Sequence, residues 1–248
     1  MKKIAFLFLT RKNIIQKKYW ENFFDGVDKK LYSIYIHPDK EYAPNKEDLF
    51  FDCYIKDREI KNQGLYLEAQ KKLLQESIKE KDNYKFILCA DDCVPIVNFE
   101  EFYSKITSDD RSNIRYGDSW IKPGEPRYIN ELPQNMQKAN AQWFVLNKKH
   151  AEIMANENEY YNIFKKYIIS CEHYPASLFF KLGMLNESEI INKDIIHERF
   201  TKYGGTDYSK ESKSFVLNAI KEAKENGYLI LRKFTLDYNK ILIDYKNE

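Results

Sequence analysis

Residues 84–92 read YKFILCADD, an apolar run from Phe86 to Ala90 that stops on two consecutive carboxylates, Asp91 and Asp92. A run this short, bounded by charge, predicts a buried central strand over 84–90. Ligands of parallel α/β sheets bind beyond the carboxyl ends of the strands, so the acidic pair stands where a site belongs. Upstream, IAFLFL at 4–9 and LYSIYIH at 31–37 read as two further strands, the second stopped by Pro38, and residues 50–55 as a short third. Between them Tyr19, Trp20, Phe23 and Phe24 share a helical face, and Leu65, Ala69, Leu73, Leu74 and Ile78 recur at the spacing of an amphipathic helix. Strands alternating with helices predict an α/β fold, a central, mostly parallel sheet flanked by helices.

Downstream, Pro95 opens a turn, and Asn98 with Glu101 three residues on predicts a capped helix over 98–106. Residues 107–141 show no sustained periodicity and read as a long active-site loop region. AQWFVLN at 141–147 reads as a strand, followed by helices at 148–156, 160–169, near 176–182 and at 209–225, with Gly227 as the C′ residue of the last. YLILRKF at 228–234 reads as a final strand ending in two cations. No repeat or low-complexity linker divides residues 1–248, which are expected to form a single domain.

Composition narrows the function. The 248 residues carry 40 Lys+Arg against 38 Asp+Glu, a net +2, which gives no global electrostatic reason to expect nucleic acid. Aromatic residues make up 15%, enough either to pack a core or to line a sugar or nucleotide cleft. Cysteines stand only at 53, 89, 93 and 171, too scattered for a disulfide scaffold, and Cys89–Cys93 lacks the second pair that zinc requires. The apolar run after Met1-Lys2-Lys3 lasts six residues, too short for a signal peptide or a membrane span.

Three clusters carry candidate chemistry. Asp91-Asp92 reads as ligands of a divalent ion against a diphosphate, as a grip on sugar hydroxyls, or as a cap. The metal reading is weakened because adjacent side chains on extended backbone point apart. Glu172-His173 reads as a general base beside an imidazole, or as a surface cap. Arg232-Lys233 reads as a diphosphate clamp, Arg by its fork and Lys as a point charge, or as the charged edge of a buried strand. Gln142 and Trp143 offer an amide and a ring face to a sugar, or simply pack a strand. HERF at 197–200 lacks the second His of a zinc-protease motif.

Taken in order, FILCADDCVPIVNF at 86–99, QWF at 142–144, CEHY at 171–174 and RKF at 232–234 resemble the motifs of the core-2/I-branching glycosyltransferases. That family includes peptide O-xylosyltransferases. The resemblance covers roughly residues 31–235, with Cys171 where an acidic residue usually precedes the Glu and Ala141 where Ser usually precedes QWF. It implies a GT-A-like fold and inverting, metal-independent transfer of a sugar, N-acetylglucosamine foremost, from a UDP-sugar to a hydroxyl of an oligosaccharide or glycoconjugate. UDP-xylose is the rival donor, and a non-catalytic carbohydrate-binding protein the rival class. The resemblance further implies Glu172 as catalytic base and Arg232 and Lys233 as diphosphate-binding cations. Asp91, Asp92, Gln142, Trp143 and His173 are expected in the donor and acceptor cleft, with no metal ligand and no cofactor beyond the donor substrate. Partners are then a nucleotide sugar and a glycan, without nucleic acid or a transmembrane segment. The expected setting is a soluble protein, cytoplasmic or peripheral on the cytoplasmic face of a membrane.

Overall fold

The computed structural model describes residues 2–58, 66–202 and 204–238. Its main sheet is built around β1 (Lys3–Leu9) and β3 (Asn83–Ala90), which pair in parallel, with β2 (Tyr32–His37) parallel to β1 on the outer side. Beyond β3 come β6 (Lys138–Asn147), β5 (Ser112–Asp118) and the two-residue β7 (Ile190–Ile191), giving the order β2-β1-β3-β6-β5-β7. Only β6 runs against its neighbours, so the sheet is mixed and mostly parallel, as the sequence leads one to expect. Phe86 to Cys89 and Ile4 to Phe8 are fully buried, which explains why both read as unbroken apolar runs rather than alternating ones.

Helix α1 (Lys17–Phe24) lays Trp20, Phe23 and Phe24 against Phe6, with Phe8 meeting the Trp20 ring edge-on at 4.8 Å. The indole N–H of Trp20 is not wasted in this apolar setting, because it donates to the Cys93 carbonyl at 3.0 Å. Helix α3 (Phe99–Thr107) adds Phe102 to the same cluster, and its Asn98 cap accepts from the Glu101 N–H at 2.8 Å, as its sequence signature predicts. Helices α2 (Tyr66–Ser77) and α4 (Lys148–Asn156) pack on the sheet and on each other. The helical pattern that begins at Leu65 thus falls on α2 from Tyr66 onward, Leu65 itself lying outside the described residues. Among those residues no helix is long and apolar enough to cross a membrane.

A second, small sheet orders β4 (Val94–Pro95), β11 (Ile230–Arg232) and β8 (Ile196–Glu198), with β11 parallel to β8 and antiparallel to β4. It brings the end of the described chain beside the end of β3, because Phe234 N–H donates to the Asp92 carbonyl at 2.9 Å. A hairpin of β9 (Phe200–Thr201) and β10 (Gly204–Gly205) leads away from β8. Helix α7 (Lys213–Glu225) then ends at Gly227, whose φ of 77° is the left-handed C′ conformation expected of a glycine there.

Four expectations are corrected. Residues 50–55 do not form a strand: Asp48 accepts from the Phe50 N–H, Phe51–Cys53 is a 3-10 turn, and a single Ile36–Tyr54 bridge is all that joins the sheet. Residues 107–141 are not wholly loop, because β5 pairs along a β6 that begins at Lys138; an irregularity between Ile114 and Tyr116 breaks the alternation that would have revealed it. The helix expected over 160–169 ends at Phe164 as α5 (Glu159–Phe164), and the following segment turns back so that Tyr167 bonds Glu131 and Asn130. The last helix starts at Lys213 rather than 209, capped by Ser212, with a 3-10 turn at Tyr208–Lys210 ahead of it.

Candidate active site

At the carboxyl ends of β1 and β3 the backbone changes direction, and the two acidic side chains part. Asp91 accepts from the Arg11 N–H at 3.0 Å, while both oxygens of Asp92 are taken by Arg232, Nε donating at 2.7 Å and Nη2 at 3.3 Å. The chain turns at Asp91-Asp92 instead of running extended, and the two side chains part all the same. Two hollows open here and share Arg11, Tyr66, Gln142, Trp143 and Arg232 in their walls. The smaller, of about 250 Å³, lies over Asp91 and Asp92. The larger, of about 770 Å³, runs past Glu172, Glu198, Asp194 and Lys233. They form one cleft whose walls come from β3, β6, β8 and β11.

Glu172 reaches the cleft from a 3-10 turn, Ser170–Glu172, entered through Ile169 in the left-handed region at φ 53°. A branched residue rarely adopts that conformation, and the surroundings hold it there. Asn140 of β6 is the main anchor: its Nδ2 donates to the Cys171 carbonyl at 3.0 Å, and its Oδ1 accepts from the Ala176 N–H at 3.2 Å. Helix α6 (Tyr174–Lys181) is fastened to the same strand, since the Ser177 hydroxyl oxygen accepts from the Lys138 N–H at 2.9 Å. The Glu172 carboxylate itself accepts from Arg127 Nη1 at 3.1 Å. Burial raises its pKa above the ordinary value, and the Arg127 charge opposes that rise. A carboxylate more basic than usual, with one guanidinium beside it, is suited to take a proton from a hydroxyl.

His173 departs from its expected place. Its ring is buried outside the cleft wall, Nδ1 donating to the Lys138 carbonyl at 3.1 Å, and burial lowers its pKa. It anchors the start of α6 rather than facing the hollow. Trp143 lines both hollows with its ring under Arg232, the guanidinium carbon 4.7 Å from the ring centre.

Arg232 is largely withdrawn from solvent, with 14% of its side chain accessible. Burial works against its charge, but Asp92 and Glu198 outweigh that and hold its pKa above the ordinary arginine value. Its Nη1 donates to Glu198 Oε2 at 2.6 Å, and Lys233 Nζ lies 3.2 Å from Glu198 Oε1. Asp194, opposite Arg115 at 3.7 Å, has its pKa pushed up to about 6 by burial. Glu198, Asp194 and the exposed Trp120 line the larger hollow and Arg127 pairs with Glu172, and sequence reasoning singled out none of the four. Glu198 belongs to the HERF segment, and its signal is the parallel register that sets it opposite Arg232, which only pairing of β8 with β11 reveals. Among the described residues, no three His, Cys, Asp or Glu side chains converge as a metal-ligand set.

Residues 4–226 match the family model described as Core-2/I-Branching enzyme. Glycosyltransferase BC10 of Oryza sativa subsp. japonica is 27% identical over 186 residues, which is 72% of this chain and 46% of the rice protein. The chain therefore spans about half the length of the curated relative it matches. A solved structure, described as a glycosyltransferase involved in the glycosylation of the major capsid of PBCV-1, aligns with a TM-score of 0.43 at 13% identity, over 93% of this chain and 94% of that one.

Proposed function

The chain belongs to the Core-2/I-branching enzyme family and has an α/β, GT-A-like fold, and from that premise we propose that it is an inverting glycosyltransferase, moving N-acetylglucosamine from its UDP-sugar to a hydroxyl of a glycan or glycoconjugate. The observation that carries this reading is that Glu172, Arg232 and Lys233, distant in sequence, open on one cleft. The acceptor oxygen attacks the anomeric carbon from the face opposite UDP. Its proton passes to the Glu172 carboxylate as the new C–O bond forms. The bond from the anomeric carbon to the diphosphate oxygen breaks, and its electron pair leaves with UDP. Arg232 and Lys233 meet the charge that grows on the departing diphosphate, a contact stronger in the transition state than in the ground state.

We propose further that this pair does the work for which other glycosyltransferases use a divalent ion. Asp92, held at both oxygens by Arg232, and Asp91, turned to the Arg11 N–H, support that reading. The test is a screen of UDP-sugars against mixed glycan acceptors, with excess EDTA and without. The expected result is UDP release and a β-linked product from UDP-N-acetylglucosamine in both conditions. Preference for UDP-xylose reassigns the donor. Activity restored only by Mn²⁺ or Mg²⁺ overturns the cation-pair role, and tight glycan binding without turnover of any donor makes the protein a carbohydrate-binding one.

A further inference from the structure

Charge balance at the end of β11 does not suit a site waiting for a diphosphate. Arg232 and Lys233 contribute two positive charges, and Asp92 and Glu198 two negative ones, all four within ion-pair distance. Asp92 belongs to the fixed frame, because its backbone carbonyl accepts from Phe234 N–H and its two carboxylate oxygens meet Arg232. Glu198 is different. It reaches both cations, Oε2 to Arg232 and Oε1 to Lys233, as two oxygens of a phosphate would, and it lines the larger hollow.

We propose that Glu198 is a placeholder anion: its carboxylate occupies the cation pair in the empty enzyme and is displaced by the donor diphosphate. The inference rests on the reading of Arg232 and Lys233 as the diphosphate site. Two features give it a physical basis. With Glu198 seated, the cluster is neutral and offers a dianionic donor no net attraction; with Glu198 turned aside, Arg232, Lys233 and Asp92 leave one positive charge. A carboxylate left beside an incoming diphosphate would repel it strongly in a half-buried cleft. The seat is also shaped for the carboxylate by the β9–β10 hairpin. A side-chain carbon placed at Gly205 would fall 2.5 Å from Glu198 Oε1 and 3.2 Å from Lys233 Cε, so the absence of a side chain there makes room for the pair.

The placeholder keeps two close cations from repelling each other and from leaving Arg232 under-compensated while the donor is away. It also sets a threshold for ligands: a single weak anion must compete with Glu198 on equal terms, whereas a diphosphate brings several oxygens and more charge.

Calorimetric titration of UDP and UMP into the intact protein, its Glu198→Gln variant and its Lys233→Ala variant tests this. Gln keeps the shape and an acceptor oxygen but removes the competing charge. Glu198→Gln is expected to bind UDP roughly ten-fold tighter, and UMP tighter as well where its phosphate takes the same cations. Unchanged or weaker UDP binding by Glu198→Gln, with Lys233→Ala still weakening it, overturns the placeholder and makes Glu198 a fixed support of Arg232. If Lys233→Ala leaves UDP binding at the wild-type value, the diphosphate is not held here, and the underlying site assignment fails along with the placeholder.

Discussion

At the scale of single residues, the site divides into groups that perform chemistry and groups that set their charge. Arg127 belongs to the second kind: it faces Glu172 and pulls its pKa down against the effect of burial. A base must be ionised to act, so the activity profile should fall on the acid side, at a pH above that of an ordinary glutamate. Arg127→Ala removes the opposing charge, raises the Glu172 pKa further, and should move this acid limb to higher pH while leaving UDP affinity unchanged. Rate against pH at saturating donor checks it. The two cations should also behave unequally. Arg232→Ala strands the buried Asp92 without a cation, while Glu198 keeps Lys233, and should cost about 3–5 kcal/mol of stability. Lys233, with 30% of its side chain accessible, should lose UDP affinity on substitution by Ala with little change in melting temperature. Glu172, Arg232 and Lys233 could be proposed from the sequence because each belongs to a short motif. Arg127 lies 45 residues from Glu172, and Glu198 34 from Arg232, and no local pattern joins such pairs.

At the scale of elements, the sequence was clearest where one physical signal dominated. The runs of β1 and β3 are buried throughout, and Asn98 and Gly227 punctuate their helices by side-chain chemistry and backbone conformation that a sequence displays directly. It was opaque at β5, whose Arg115 and Asp118 face outward on an irregular edge, and at 50–55, where an aspartate-capped turn replaces pairing. On the proposed reading, the turn that carries Glu172 is the element on which activity depends most. Asn140 ties it to β6 through Cys171 and Ala176, and nothing in QWF or CEHY announces that tie. Asn140→Ala leaves a buried carbonyl and an N–H without their partner, and should cost roughly 1–3 kcal/mol by denaturant unfolding. It should also lower the turnover rate without weakening UDP, since the diphosphate contacts lie on another sheet.

At the scale of the whole molecule, the sheet must hold together across pH for the cleft to keep its shape, and His150 marks where it is most exposed to acid. The ring is fully buried on α4, its Nδ1 2.7 Å from the Ser112 hydroxyl of β5 and its Nε2 3.4 Å from Glu189 just before β7. Burial drives its pKa from 6.5 down to about 4, opposed in part by Glu189. A histidine kept neutral by folding contributes its full stability above pH 6.5 and loses it as pH falls towards 4, by up to about 1.4 kcal/mol per pH unit. Unfolding midpoints taken from pH 7 to pH 4 should therefore decline more steeply for the wild type than for His150→Gln. Above that window the cleft holds Glu172 from the turn before α6 together with the cations at the end of β11, and on the proposed reading they serve one reaction. The most direct measurement is transfer at saturating donor and acceptor by Glu172→Gln, alongside its UDP affinity. The expected result is UDP binding at the wild-type value with turnover reduced roughly 10²–10⁴-fold, because the amide keeps the shape of the carboxylate and cannot take the proton. Turnover near that of the wild type would contradict the assignment and place the base elsewhere in the cleft.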